Sequence, residues 1–401
     1  MNFIKLLSYA KPILFWVLAL ALLCEVLLHF FLNDLPLKFL AHSTGPIHRL
    51  GQYSKKDVVP EKHIAIIGDS NVYGFGPWLY DNSWSLGQPS FATHHLMYEQ
   101  TKSDVIAFGY PGFGTFGACL SSVAELNFIS NSWIWPDLNA PQQILIVFYE
   151  GNDLMNNIRE FEQRGINLSV QNVRTSKFII KKNIKKEVLK LNGGWSLKDQ
   201  FATWNIGSGL ISNYFDRYFP TSIKVNKKDS SSISDDNNVT NKERKFNVAL
   251  IDQKKIALGF CEGPSLLLNQ EETSFALSIT RESVLYVAKK FPSSKIHLVY
   301  LPSALSIYNF GECQIKPAPI TMNGKLREQT FSQSQVYSRN EYLRIEISQI
   351  AQDCSIGFID TTPPLKIKGH YARMHGPRDP IHFNRQGYYA FADTLMKAIK
   401  N

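Results

Sequence analysis

Ser70, Asn152 and the pair Asp379 and His382 are the residues of this chain whose types and settings can do covalent chemistry. Ser70 ends the string Gly68-Asp69-Ser70, directly after the apolar run HIAII. A serine hydroxyl at a strand tip is a weak nucleophile until a neighbouring base takes its proton. Asp379-Pro380-Ile381-His382 supplies such a base. With one turn between them, the carboxylate can hold one imidazole nitrogen and leave the other for the serine. Gly151-Asn152-Asp153 follows the run ILIVF by way of Tyr149 and Glu150. An asparagine amide there suits a developing oxyanion, a contribution of about 10²–10³ in kcat. Each string also has a plainer reading, as a helix cap at Asp69 or Ser70, an Asn/Asp turn, or a surface histidine. Their order along the chain and their strand-end settings favour serine-dependent attack on an ester.

The elements that would hold these groups are legible as short apolar runs at 63–68, 104–109, 143–149, 295–301 and 356–360. Several are apolar throughout instead of alternating, the pattern of parallel strands covered on both faces. Helix-like segments fall at 116–129, 278–291, 337–351 and 386–399. This β–α alternation predicts a doubly wound α/β sheet with ligands at the strands' C-terminal ends. The stretch 155–275 breaks the rhythm and reads as an insertion. Within it, 178–191 sets Ile180, Ile184, Val188 and Leu191 on one helical face among lysines. Such a helix can pack on its own domain or lie on anionic lipid. Residues 226–241 are nearly devoid of apolar side chains, a composition that predicts disorder.

Two further patterns are set aside. Gly112-Phe113-Gly114-Thr115-Phe116-Gly117 matches the dinucleotide-binding string, but it follows the second run, Pro111 interrupts its approach, and no acidic strand end lies at the right distance. It reads better as a loop whose Gly112 N–H points into the site. His370, His375 and His382 are spaced by five and seven, which does not form a helical ligand face. Neither a metal nor another cofactor is expected.

On these residues the chain resembles the SGNH (GDSL-type) hydrolase superfamily, over about 60–155 and 290–401. The resemblance implies a three-layer, flavodoxin-like α/β fold. It makes Ser70 the nucleophile, with Asp379 and His382 completing the triad. Ser70 N–H, Gly112 N–H and the Asn152 amide become the oxyanion hole. His382-Phe383-Asn384 and Gly387-Tyr388 are similar to the family's usual sequence around and after that histidine. Two positions depart from the pattern: Gly151 stands beside Asn152 where the family usually has an intervening residue, and Ala107 stands where an asparagine is frequent.

The 401 residues hold 44% hydrophobic and 19% charged side chains, a globular balance. A mean hydropathy of -0.16 excludes a polytopic membrane protein. Residues 12–32 nonetheless form an almost unbroken apolar run, about 30 Å long as a helix and so about the hydrocarbon thickness of a bilayer. No small-x-small site follows it, and an uncleaved signal anchor fits better than a cleaved leader. Lys5 and Lys11 before it favour a cytoplasmic N-terminus and an exported domain 35–401. Glu25 and His29 share a face inside the run, to be met by snorkelling, mutual hydrogen bonding or a membrane partner. The net charge of +9 suits an anionic surface or glycan, and no nucleic-acid motif accompanies it. Cys261 and Cys313 are a possible disulfide pair in an exported protein.

The expected activity is that of a membrane-anchored, exported serine esterase on O-acyl esters, O-acetyl groups of cell-envelope glycans among them. Transfer of the acyl group to a sugar hydroxyl is the alternative. A non-catalytic envelope assembly protein on the same fold is a third reading.

Overall fold

The computed structural model describes residues 3–76, 90–131, 138–164, 173–195, 197–218, 246–322, 324–376 and 379–400. The polar stretch 226–241 lies outside them. Five strands, β1 (Ile64–Gly68), β2 (Val105–Gly109), β3 (Gln143–Tyr149), β4 (Lys295–Leu301) and β5 (Gly357–Asp360), form one parallel sheet in the order β2-β1-β3-β4-β5. Each starts within one residue of its apolar run. The strand order reverses between β1 and β3, and this switch point opens a crevice at their C-terminal ends.

In chain order the helices used below are α1 (Phe3–Phe31), α2 (Ser70–Tyr73), α3 (Thr93–Thr101), α4 (Thr115–Ser130), α5 (Asp153–Glu162) and α6 (Val173–Gly193). After them come α7 (Ala202–Tyr218), α8 (Gln270–Lys290), α9 (Gln333–Asp353), α10 (Thr362–Tyr371) and α11 (Arg385–Lys400). Successive side chains of a strand point to opposite faces, so the sheet feeds two cores. Ile67, Phe108, Ile146 and Tyr300 pack with Phe116, Ile158, Ile279 and Ile347 of α4, α5, α8 and α9. Ile66, Val147, Val299 and Ile359 pack on the other face with Met97, Leu365, Phe391 and Leu395 of α3, α10 and α11. Burying each such side chain contributes about 1.5–3 kcal/mol. This is the doubly wound α/β sheet that the run pattern predicts, in the three layers that the resemblance implies.

The departure at Ala107 has a structural counterpart on β2, an edge strand. Gln52 covers its open backbone, accepting from Ala107 N–H at 2.7 Å and donating to Ala107 O at 2.8 Å. Ser54 does the same at Val105, so this edge offers no free ladder to another chain.

Helix α8 begins at Gln270, well before the predicted 278, because its first turns are polar and carry no apolar periodicity. A capping box of Asn269 and Glu272 starts it. Helix α6 buries Ile180 and Ile184, and Val188 and Leu191 pack against the same core. Its apolar face is therefore used within the domain and is not free for lipid. All five cysteines are free thiols; Cys261 is buried and donates to Gly259 O, so the Cys261–Cys313 pairing is not formed.

Residues Pro12–Asp34 make one helical stretch long and apolar enough to cross a membrane. Most of its apolar side chains face outward, with Trp16 at 70% and Phe30 at 71% exposure. Glu25 is buried against the start of α7. Its carboxylate accepts from Ala202 N–H at 2.6 Å and Thr203 N–H at 2.9 Å, capping α7.

Candidate active site

Asp69 ends β1 with a sharp turn. Its Oδ1 accepts from Asn71 N–H at 2.9 Å, which starts α2 at Ser70 and lifts that side chain to the sheet's C-terminal edge. The last block reaches the same edge from the opposite side of the crevice. Asp379 Oδ1 accepts from the N–H groups of Ile381 and His382, folding the tetrapeptide into one turn. Its Oδ2 lies 2.6 Å from His382 Nδ1, and His382 Nε2 lies 2.8 Å from Ser70 Oγ. Serine, histidine and aspartate thus form one continuous chain of hydrogen bonds. The serine and histidine are 312 residues apart in sequence.

The loop carrying His382 is itself fixed. Asn384 donates to the carbonyls of Arg373 and His375 and accepts from Gly387 N–H. Phe383 is buried against His375, Tyr388 and Phe391. The Phe75 ring stands 4.7 Å from the His382 ring. His375 belongs to this packing and not to a metal set: its Nδ1 is 2.9 Å from the Tyr308 hydroxyl. Among the described residues no group of side chains is arranged to hold a metal ion.

Asn152 sits on the turn after β3, buried, with Oδ1 unpartnered. Here the Gly151 departure is explained. A side chain at that position would meet the Tyr149 ring, whose atoms lie 2.5–2.7 Å from an added Cβ. The ring folds back over Gly151, and its hydroxyl donates to Ile381 O at 3.3 Å, tying the asparagine turn to the histidine loop. Gly112 stands apart from these hydrogen bonds, in an exposed turn after β2. Phe113 N–H donates to Tyr110 O at 3.1 Å, Pro111 takes the second place, and Gly112 takes the third at φ +81°. That is a type II turn, which demands a positive φ there.

The dinucleotide-like string lies in the same loop. The N–H groups that would cradle a pyrophosphate are occupied, Gly114 by Glu160 at 2.7 Å and Phe116 by Asn157 at 2.9 Å.

Glu262, which no motif marks, enters the site from the stretch between β3 and α8. Burial pushes its carboxyl up to about 7, with Asp69 adding to the rise, while His382 and a hydrogen bond from Asn152 oppose it. Asp69 and Asp153 are also held above the usual carboxylate range, chiefly by burial. Asp379 goes the other way. Burial would raise it, but the hydrogen bond and charge of His382 and two backbone N–H groups outweigh that and keep it ionised. One carboxylate thus faces the histidine as a standing anion.

The Glu262 shift fixes a sign. From about pH 4.5 to 7 the folded chain holds a proton that the unfolded chain has lost, so stability falls as pH rises through that window. Glu262→Gln removes the effect. The variant is expected to match the parent at pH 4 and to exceed it by about 1–3 kcal/mol at pH 8. Urea unfolding at both pH values checks this, and a difference that does not change with pH refutes it.

No family model matches the sequence, and no curated protein matches it. Among solved structures, the chain is similar to an extracellular lipase from Streptomyces rimosus, 11% identical with a TM-score of 0.39, covering 84% of this chain and 100% of that one. A phospholipase A1 from Streptomyces albidoflavus NA297 is 12% identical with a TM-score of 0.35, covering 84% of this chain and 98% of that one. An acetyl xylan esterase from the rumen bacterium Butyrivibrio proteoclasticus is 11% identical with a TM-score of 0.34, covering 86% of this chain and 64% of that one. Likenesses this distant concern the fold at most. The chemistry rests on the side chains of this chain.

Proposed function

We propose that the chain is a serine ester hydrolase of SGNH type. The supporting observation is the pair of hydrogen bonds, 2.8 and 2.6 Å, that joins Ser70 Oγ through both nitrogens of one imidazole to Asp379. Ser70 Oγ attacks the ester carbonyl carbon as His382 Nε2 takes its proton. The carbonyl electrons move to oxygen, where Ser70 N–H, Gly112 N–H and the Asn152 amide hold the oxyanion. Collapse breaks the carbon–oxygen bond to the alcohol, which leaves with the proton from His382. Water, deprotonated by the same nitrogen, then releases the acid and regenerates Ser70. Asp379 holds the imidazole tautomer and stabilises the imidazolium throughout.

Asn152→Ala is expected to lower kcat by about 10²–10³ with little change in KM, since the amide acts on charge that exists only in the transition state. A change confined to KM refutes that role.

The proposed substrate is an O-acyl ester of a cell-envelope glycan, reached by a domain held on the exported side of a membrane by residues 12–32. The charge pattern around that run supports the orientation. The Glu25 cap supports retention of the helix, because cleavage would strand two N–H groups at the start of α7.

Detergent-solubilised full-length protein, treated with a fluorescent fluorophosphonate and with 4-nitrophenyl acetate, tests the mechanism. Labelling and turnover lost in both Ser70→Ala and His382→Ala support it; absence of both from well-folded parent protein overturns it. Adding a free glycan acceptor separates the outcomes, because acyl transfer to sugar in preference to water identifies a transferase.

A further inference from the structure

Glu25 lies six residues before the end of α1, with exposed Leu22, Leu23, Val26 and Leu27 around it. At 1.5 Å per residue this is about 9 Å inside the helix end. An unpartnered carboxylate at the centre of a bilayer costs about 2.5–3.5 kcal/mol. Here it is 6% exposed, because the first N–H groups of α7 close over it. Favourable charge–dipole contact at a helix N-terminus adds to those hydrogen bonds. The start of α7 must therefore lie at the depth of Glu25, below the level at which α1 ends.

The composition of α7 fits that depth. From Ala202 to Tyr214 it carries no charged residue, and Asp216 and Arg217 appear only at its far end. Its outward side chains are Trp204 at 57%, Ile211 at 59% and Tyr214 at 57% exposure, with Leu210 at 39%. Tryptophan and tyrosine are the side chains that settle at a membrane–water boundary. The opposite side of the helix is tied to the domain. Thr44 Oγ1 donates to Asn205 Oδ1 at 3.2 Å, and Gly209 packs so closely that an added Cβ would lie 1.8 Å from His42 O. The exposed apolar side is thus fixed in orientation, and it faces the same space as the span.

Between α1 and α7 runs a groove of about 540 Å³, lined by Leu18, Leu22, Phe201, Trp204, Gly207 and Ile211, with exposed Lys198 on its wall. Its surface is almost wholly apolar, and it is continuous with the lipid-facing side of α1.

We propose that α7 is a second membrane contact, lying in the boundary region of the bilayer that α1 crosses, with the α1–α7 groove filled by a phospholipid acyl chain and Lys198 beside the headgroup. The proposal rests on the reading of α1 as a membrane anchor. It makes the tether rigid: the crevice that holds Ser70 is fixed in height and orientation above the membrane instead of swinging on a flexible stalk.

The test uses the full chain in nanodiscs of phosphatidylcholine and phosphatidylglycerol doped with a phospholipid bearing a diazirine on its acyl chain. After irradiation and trypsin, peptide 199–217 is expected to carry lipid adducts at a yield within about threefold of the peptide containing the span. Glu25→Ala should lower adducts on 199–217 by at least fivefold and leave those on the span unchanged. Glu25→Gln, which keeps one acceptor oxygen, should retain most of them. Adducts on the span with none on 199–217 overturn the proposal while leaving the anchor intact, and crosslinking of 199–217 to a second copy of the chain does the same. Absence of adducts from both peptides overturns the anchor itself.

Discussion

Replacing Ser70 by alanine is expected to lower ester turnover by about 10⁴–10⁶-fold and to leave thermal unfolding unchanged. The asymmetry follows from what the hydroxyl touches. Ser70 Oγ bonds His382 Nε2 at 2.8 Å and Asp69 Oδ2 only at 3.5 Å. Removing it costs one ordinary hydrogen bond, offset in part because His382 is partly open to water. The start of α2 survives, since it depends on the Asp69 carboxylate and not on the serine side chain. Turnover, by contrast, loses the atom proposed to form the covalent bond. Steady-state kinetics on 4-nitrophenyl acetate, with a melting curve on the same sample, reads both quantities. A variant that keeps more than a hundredth of parental kcat would show that another group attacks the ester.

Glu150→Ala is expected to be the most damaging substitution for stability, at about 3–5 kcal/mol. Glu150 is completely buried where β3 ends, yet it is met by donors from two other elements. Its Oε1 accepts from the Tyr300 hydroxyl at 2.6 Å and from the Asn340 amide of α9. Its Oε2 accepts from Ser303 N–H at 2.8 Å and from the Ser303 hydroxyl at 2.7 Å. Alanine would leave the buried Tyr300 phenol and the Ser303 backbone N–H without an acceptor. It would leave the Asn340 amide and the Ser303 hydroxyl only long contacts, to the Tyr300 hydroxyl at 3.3 Å and the Ser306 hydroxyl at 3.5 Å. Each orphaned group costs about 1–3 kcal/mol before relaxation. The same carboxylate locks the end of β3 to β4 and α9, so the turn bearing Asn152 should loosen as well. Glu150→Gln, which keeps the shape but turns donors toward donors, should fall between parent and alanine variant. Urea unfolding in detergent reads the series, and an alanine variant within about 0.5 kcal/mol of the parent would refute the account.

Some of this was legible in the sequence because the physics is local. The strands β1 to β5 announce themselves as continuous apolar runs, since a parallel strand buried on both faces tolerates no polar alternation. The start of α8 did not show, because its polar first turns are stabilised by a capping box and by Arg327, which reaches Glu272 at 2.6 Å from the antiparallel strand pair Ile320–Met322 and Lys325–Arg327. Ser70, Asn152, Asp379 and His382 stood out as candidates because strand-end position and short spacing are sequence properties. The resemblance implied that Ser70 and His382 meet; spacing alone does not, because the two come together only when α10 and α11 pack the last block against the sheet edge.

Glu262 and Glu150 carried no signal at all, and Glu25 stood out only as a charge inside an apolar run, not as a helix cap. Each is a carboxylate whose role is defined by groups far away in the chain: Asn152 and Asp69, Tyr300 and Ser303, the start of α7. Periodicity and spacing report which face a residue turns to its own element. The sequence alone therefore determined the strands, the order of the chemical groups and the apolar N-terminal helix. Only the tertiary structure decided which buried charges are satisfied and by whom, because the low dielectric of the interior makes that partner, and not the residue's own neighbours, set its energy.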